Sequence, residues 1–115
     1  MNKTIFIDID GTIFEHQKNL HKMITGKQNL IVGTVDKFLE WRKKGYYIVI
    51  TTARPEGTRK VTEQQLMNAG LFYDQLVMGL PTGPRVVIND EKPDKTQTAF
   101  GVCIKRNSGI KDIKI

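Results

Sequence analysis

Two stretches, Lys3 to Ile9 (KTIFIDI) and Tyr46 to Thr52 (YYIVITT), are apolar or β-branched at consecutive rather than alternate positions. A strand of that kind must be covered on both faces, which is the condition of a parallel sheet packed under helices. The intervening chain agrees. Thr34 is placed as a helix N-cap, followed by Val35, Phe38, Leu39 and Arg42 at helical spacing, with Lys43-Lys44 in the last turn and Gly45 as the stop. A turn at Pro55–Thr58 precedes a second helix from Arg59 to Ala69, ended by Gly70. Gln75 to Met78 and Arg85 to Ile88 read as short strands separated by the breaker-rich loop Gly79–Pro84. A short helix or turn near 93–98, a strand at 100–104 and a polar tail at 105–115 complete the chain, and residues 14–32 read as a loop or flap. Strands alternating with helices predict βαβ crossovers, hence an α/β, three-layer Rossmann-like fold with a central, mainly parallel sheet.

The 115 residues fit a single domain spanning 1–115, since domains cluster at roughly 100–150 residues. Apolar residues make up 39%, well above a disordered composition. No stretch approaches the ~20 apolar residues of a membrane span and no signal peptide opens the sequence, so a cytoplasmic protein without membrane contact is expected. The lone Cys103 excludes an internal disulfide and a cysteine zinc site. Within its apolar run it is expected to be buried. A net charge of +6 favours anionic partners. The basic residues are dispersed, however, and the longest runs, Arg42-Lys43-Lys44 and Arg59-Lys60, fall on predicted helices where a solvated face is the default. Nucleic acid is therefore a possible partner but not the favoured one.

Ligands of open parallel sheets bind beyond the C-terminal strand ends. Three predicted strands end in polar residues there: Asp8/Asp10, Thr51/Thr52 and Asn89/Asp90. Residues two apart in an extended segment point to the same side, so Asp8 and Asp10 face one cleft. Such a pair can divide labour, one carboxylate attacking and the other moving protons. Gly11 permits a tight turn that presents backbone amides to an anion.

The segments FIDIDGTI (Phe6–Ile13), IVITTARP (Ile48–Pro55) and RVVINDEKP (Arg85–Pro93) resemble, in order, the first, second and fourth motifs of the haloacid dehalogenase (HAD) superfamily. The resemblance implies a hydrolase, specifically a phosphatase working through an aspartyl-phosphate. In it Asp8 is the nucleophile and Asp10 the acid and base, the second Asp favouring phosphatase over dehalogenase chemistry. It also implies Mg2+ held by Asp8, the backbone carbonyl of Asp10, and Asp90, a choice of metal that suits hard carboxylate oxygens. Thr52 would bind the phosphoryl group through its hydroxyl and amide, with Thr51 the neighbouring candidate. Gly11, Thr12, Arg54 and Asn89 would line the phosphate, Arg54 by a bidentate contact. Asn89-Asp90 departs from the Asp-Asp common in this motif. Asn89 would then act through a bound water, with Glu91 and Asp94 as possible compensating acids. For the third-motif cation the candidates are Arg85, then Lys92, then Lys60.

His16 and His21 are expected to face substrate or solvent from the flap, and Trp41 to pack on the first helix. Phe72 and Tyr73 are expected in the core. Arg106-Asn107-Ser108-Gly109 reads as a turn, with a substrate-contacting tail as the alternative. The segments 14–34 and 55–84 are too short for a cap domain, so the resemblance is to small capless members such as hydrolases of sugar phosphates and polysaccharide biosynthesis. A small phosphorylated substrate is expected, with nucleic-acid 3′-phosphates or non-catalytic phosphate binding as alternatives. A homo-oligomer, dimer or tetramer, is a plausible way to close so open a site.

Overall fold

A computed structural model describes residues 2–115. The elements run β1 (Thr4–Ile7), α1 (Leu20–Ile24), α2 (Thr34–Lys43), β2 (Tyr47–Thr51), a 3-10 turn (Glu56–Thr58), α3 (Arg59–Asn68) and β3 (Gln75–Val77). The strands form one parallel sheet in the order β1-β2-β3, with Ile5 opposite Ile48, Ile7 opposite Ile50, and Ile50 opposite Leu76. No cap intervenes: only α1 lies between β1 and α2, and only the 3-10 turn and α3 lie between β2 and β3.

Burial follows from position in the sheet. Successive side chains of a strand point to opposite faces. In the central strand β2, Ile48, Val49 and Ile50 are all buried, so both of its faces are covered. Strand β1 alternates instead, burying Ile5 and Ile7 while Thr4 and Phe6 are exposed. Phe38 and Trp41 from α2 and Leu66 from α3 pack with these strands into one core, the two aromatic rings 5.5 Å apart. Ile110 joins that core from the C-terminal segment. Lys37 Nζ donates to the Ile113 carbonyl at 2.8 Å, so the tail docks beside α2. Phe72, expected in the core, is 68% exposed. It follows the turn after α3, whereas the neighbouring Leu71 is buried and Tyr73 packs partly on the core.

Helix α2 begins as expected, with a different cap. Gly33 occupies the N-cap position at φ 92°, and Thr34, already helical, donates its hydroxyl to the Ile31 carbonyl at 2.7 Å. A Cβ at Gly33 would lie 2.5 Å from Lys111 Cβ. Gly33→Ala combines a left-handed backbone with a collision, for an expected loss of about 1–3 kcal/mol in urea unfolding. Gly57→Ala, where a Cβ meets nothing within 4 Å, should stay within about 0.5 kcal/mol of wild type. Equal behaviour of the two variants would refute this reading of Gly33.

The expected fourth strand, Arg85 to Ile88, and the strand at 100–104 do not form. Val86 is 81% and Ile88 92% exposed, and Phe100, Val102 and Cys103 are exposed as well. A β-prone sequence becomes a strand only where a neighbour pairs with it, and no described strand lies beside this segment. Residues 86–104 form an open arm. Its limbs are joined by a turn in which Lys92 N donates to Thr96 O at 3.0 Å. The Thr98 hydroxyl donates to the Asp90 carbonyl, and Asn89 Nδ2 to Thr98 O at 3.4 Å. The helix considered near 93–98 is only a turn, and Cys103 lies in the open rather than buried because only Ile104, at the end of the arm, packs against the core.

Candidate active site

Parallel pairing places Asp8 after β1, Thr52 after β2 and Met78 after β3 at one end of the sheet. The chain then turns sharply. Ile9 O accepts from the amides of Thr12 (3.1 Å), Ile13 (2.8 Å) and Phe14 (3.1 Å), while Gly11 N donates to Phe14 O at 2.7 Å. Gly11 has φ 90°, the conformation glycine tolerates, and the fully buried Ile9 and Ile13 anchor the loop. The turn expected from Gly11 is present, but the Gly11 and Thr12 amides are spent inside it. The amides of Asp10 and Ala53, by contrast, have no backbone acceptor among the described residues.

Asp10 is gripped by Arg54. Arg54 Nε donates to Asp10 Oδ2 at 2.9 Å and Nη2 to Oδ1 at 2.8 Å. The Arg54 side chain is 1% exposed and that of Asp10 13%. The remaining guanidinium nitrogen donates to Thr62 Oγ1 at 3.1 Å and Gln65 Oε1 at 2.6 Å, and Gln65 Nε2 donates to Met23 O at 2.8 Å. Arg54 is therefore turned inward onto Asp10 rather than outward to a phosphate. Its partners Thr62 and Gln65 lie three apart on α3 and so share a helix face, a pattern that sequence reading passed over. Thr52 is likewise buried: its amide donates to Val77 O at 2.9 Å and its hydroxyl oxygen accepts from Arg54 N at 3.0 Å. The Thr52 amide expected on a phosphoryl group is thus held in the sheet.

Asp8 is exposed as a residue, yet the protein around it partly desolvates its carboxyl. Desolvation is the largest influence and raises its pKa above the usual carboxylate value. The Ile9 amide opposes the shift, Asp10 adds to it, and Arg85 and Arg54 pull back. The Arg85 guanidinium itself donates to Gly83 O at 2.6 Å. Lys60 is exposed on α3 and Lys92 is exposed in the arm.

A raised carboxylate pKa means that the folded state holds the proton more tightly than the unfolded chain does. Stability falls as pH climbs from the ordinary carboxylate pKa through the folded value, and the deficit persists above it. Asp8→Asn removes that deficit. Thermal melts across pH should show the variant melting above wild type at neutral pH, with the gap closing in acid; a lower neutral melting temperature would contradict a desolvated Asp8.

Asn89 and Asp90 stand apart, both exposed on the arm. Among the described residues no group of three or more His, Cys, Asp or Glu converges as a metal site. The donor set expected for Mg2+ is thus not assembled within one chain. His16 and His21 are exposed, as the flap reading allowed, and the His16 amide donates to Asn107 Oδ1 at 2.8 Å. The turn at 106–109 lies over the catalytic-loop candidate, with Asn107 N donating to Gly11 O at 2.8 Å. A Cβ at Gly11 would lie 3.3 Å from Arg106 Cγ, so Arg106 is a basic residue that tertiary structure brings to this loop.

A scan against protein-family models finds no match, and comparison with curated proteins finds none either. Likeness appears in solved structures. A chain of a Pnkp1/Rnl/Hen1 complex aligns with a TM-score of 0.60 at 21% identity over 74% of this chain and 30% of that one. A protein from Vibrio cholerae, solved as an MCSG target, aligns with a TM-score of 0.57 at 20% identity over 74% of this chain and 79% of that one. A further chain, from a Pnkp1/Rnl/Hen1 RNA repair complex, gives a TM-score of 0.55 at 21% identity over 67% of this chain and 25% of that one. The present chain thus spans under a third of the Pnkp1/Rnl/Hen1 chains. These likenesses support an α/β fold shared with those chains. No helix among the described residues is long and apolar enough to cross a membrane.

Proposed function

We propose that this chain hydrolyses phosphate monoesters, with Asp8 as the nucleophile. The observation that carries the reading is the pairing of an open, partly desolvated Asp8 with an Asp10 locked by the buried Arg54 at the same sheet end. In the first step an Asp8 oxygen forms a bond to phosphorus and the ester P–O bond breaks, the leaving oxygen taking a proton. In the second, water attacks the aspartyl-phosphate, releasing inorganic phosphate and restoring the carboxylate. Proton transfer in both steps is assigned to Asp10, one of whose oxygens leaves the Arg54 fork to carry the proton. The Asp10 and Ala53 amides are the donors best placed to meet phosphoryl oxygens, and Arg85 tempers repulsion between Asp8 and an incoming dianion.

The substrate assigned to the uncapped end of the sheet is a small phosphorylated sugar. A second reading, hydrolysis of nucleic-acid 3′-phosphates, is favoured by the fold shared with a chain of an RNA repair complex and by the +6 charge. Wild type and Asp8→Asn, assayed with and without Mg2+ on phosphorylated sugars and a 3′-phosphorylated oligonucleotide, test both. Turnover of sugar phosphates that Asp8→Asn lacks supports the first reading. Turnover confined to the oligonucleotide and falling steeply with salt supports the second. Phosphate binding with no turnover on either would reduce the chain to a binding module.

A further inference from the structure

The sheet and the arm carry complementary vacancies. Among the described residues strand β1 pairs only with β2, leaving its other edge open, and Phe6 on that strand is 58% exposed. The segment Arg85–Ile88 has the apolar, β-branched make-up of a strand buried on both faces, yet Val86, Val87 and Ile88 are 81%, 53% and 92% exposed. The opposite limb adds exposed Phe100 and Val102. An open edge and an unpaired apolar segment are each a template for association.

Both ends of the arm are tied to the body that bears it. Arg85 donates to Gly83 O at 2.6 Å in the loop that leads out of β3, and Asn107 N donates to Gly11 O at 2.8 Å at the other end. The stretch between leaves the body, and the molecule measures 49 × 28 × 25 Å. Within one chain the segment does not lie on its own edge; a second copy offers an identical open edge. Exchange of an identical element across a two-fold axis satisfies both vacancies at once and closes the assembly.

We infer that two copies of this chain exchange their arms, the Arg85–Ile88 segment of each pairing in parallel with the free edge of β1 in the other. Parallel strands share their C-terminal ends, so this pairing delivers Asn89 and Asp90 of one copy to the sheet end that carries Asp8 and Asp10 of its neighbour. The third carboxylate missing from the single chain is then supplied in trans, and the combined oxygens suit a hard divalent cation such as Mg2+. Only this last consequence, the composite site, rests on the phosphatase reading; the arm exchange does not.

Three measurements test the inference on the full chain. Sedimentation velocity should show a dimer, and a monomer across the accessible concentration range overturns the proposal. In a Cys103→Ser background, Phe6→Cys is co-expressed with a second chain bearing Val86→Cys, Val87→Cys or Ile88→Cys. At least one pairing should give an oxidised heterodimer; bridges that form only inside a chain carrying both cysteines would overturn exchange. Asp8→Asn and Asp90→Asn are each expected to be inactive alone. Co-expressed, they should regain activity, because each mixed dimer then holds one intact site and one doubly substituted site. Active wild type with no such rescue would refute the composite site. Cross-linking without phosphatase activity in any preparation would uphold the exchange and instead defeat the proposed function.

Discussion

Replacing Arg54 by methionine is expected to destabilise the protein by about 3–5 kcal/mol, the usual cost of removing one partner from a buried ion pair. The side chain is 1% exposed and makes two bonds to Asp10 and one each to Thr62 and Gln65. Methionine matches much of its length but satisfies none of these groups, so a poorly hydrated carboxylate and two polar side chains lose their partner. Arg54→Lys keeps the charge but not the fork, and should fall between the two because an ammonium cannot hold both carboxylate oxygens in one plane. Adding Asp10→Asn to Arg54→Met should recover part of the loss, since the stranded charge is then gone. Urea unfolding of the four proteins reads this directly. A cost below about 1 kcal/mol for Arg54→Met would mean that the pair behaves like an exposed one.

Asp8→Asn should lower turnover by a factor on the order of 10³–10⁶, the range seen when a nucleophile is deleted from a working catalytic unit. The amide matches the carboxylate in shape but cannot attack phosphorus, so the covalent route closes. Asp8→Glu retains the charge on a longer arm and should also be severely impaired, because attack depends on placement to within about an ångström. The two principal variants separate cleanly. Arg54→Met should lose stability, whereas Asp8→Asn should melt above wild type at neutral pH while losing turnover. Undiminished hydrolysis by Asp8→Asn would end the aspartyl-phosphate reading.

What could be read from the sequence divides along a physical line. The runs KTIFIDI and YYIVITT announced strands covered on both faces; they form as β1 (Thr4–Ile7) and β2 (Tyr47–Thr51), but only β2 is so covered, Phe6 of β1 being exposed. The helix from Arg59 ends at Asn68, one residue before the expected Ala69. These features depend on neighbours close in sequence or on a strong apolar pattern. The direction of Arg54 did not. Its position after a strand suggested a phosphate contact, yet its partners come from residues 10, 62 and 65, which meet only once β1, β2 and α3 have packed. The approach of Arg106 to Gly11 is equally non-local.

The sequence alone therefore determined the parallel α/β class and the end of the sheet where acidic chemistry would collect, because period, β-branching and residue type act locally. It also singled out Asp8 and Asp10, on the expectation that an extended segment would point both the same way, whereas the strand ends at Ile7 and Asp10 turns onto Arg54. Tertiary structure decided that Asp10 is clamped by a buried guanidinium, that the Gly11 and Thr12 amides close a turn, and that Arg85–Ile88 forms no strand within its own chain. Hydrogen-bond partners, desolvation and strand pairing are properties of what lies alongside a segment. RVVIND has the composition of a buried strand, but composition does not supply the neighbour that would bury it.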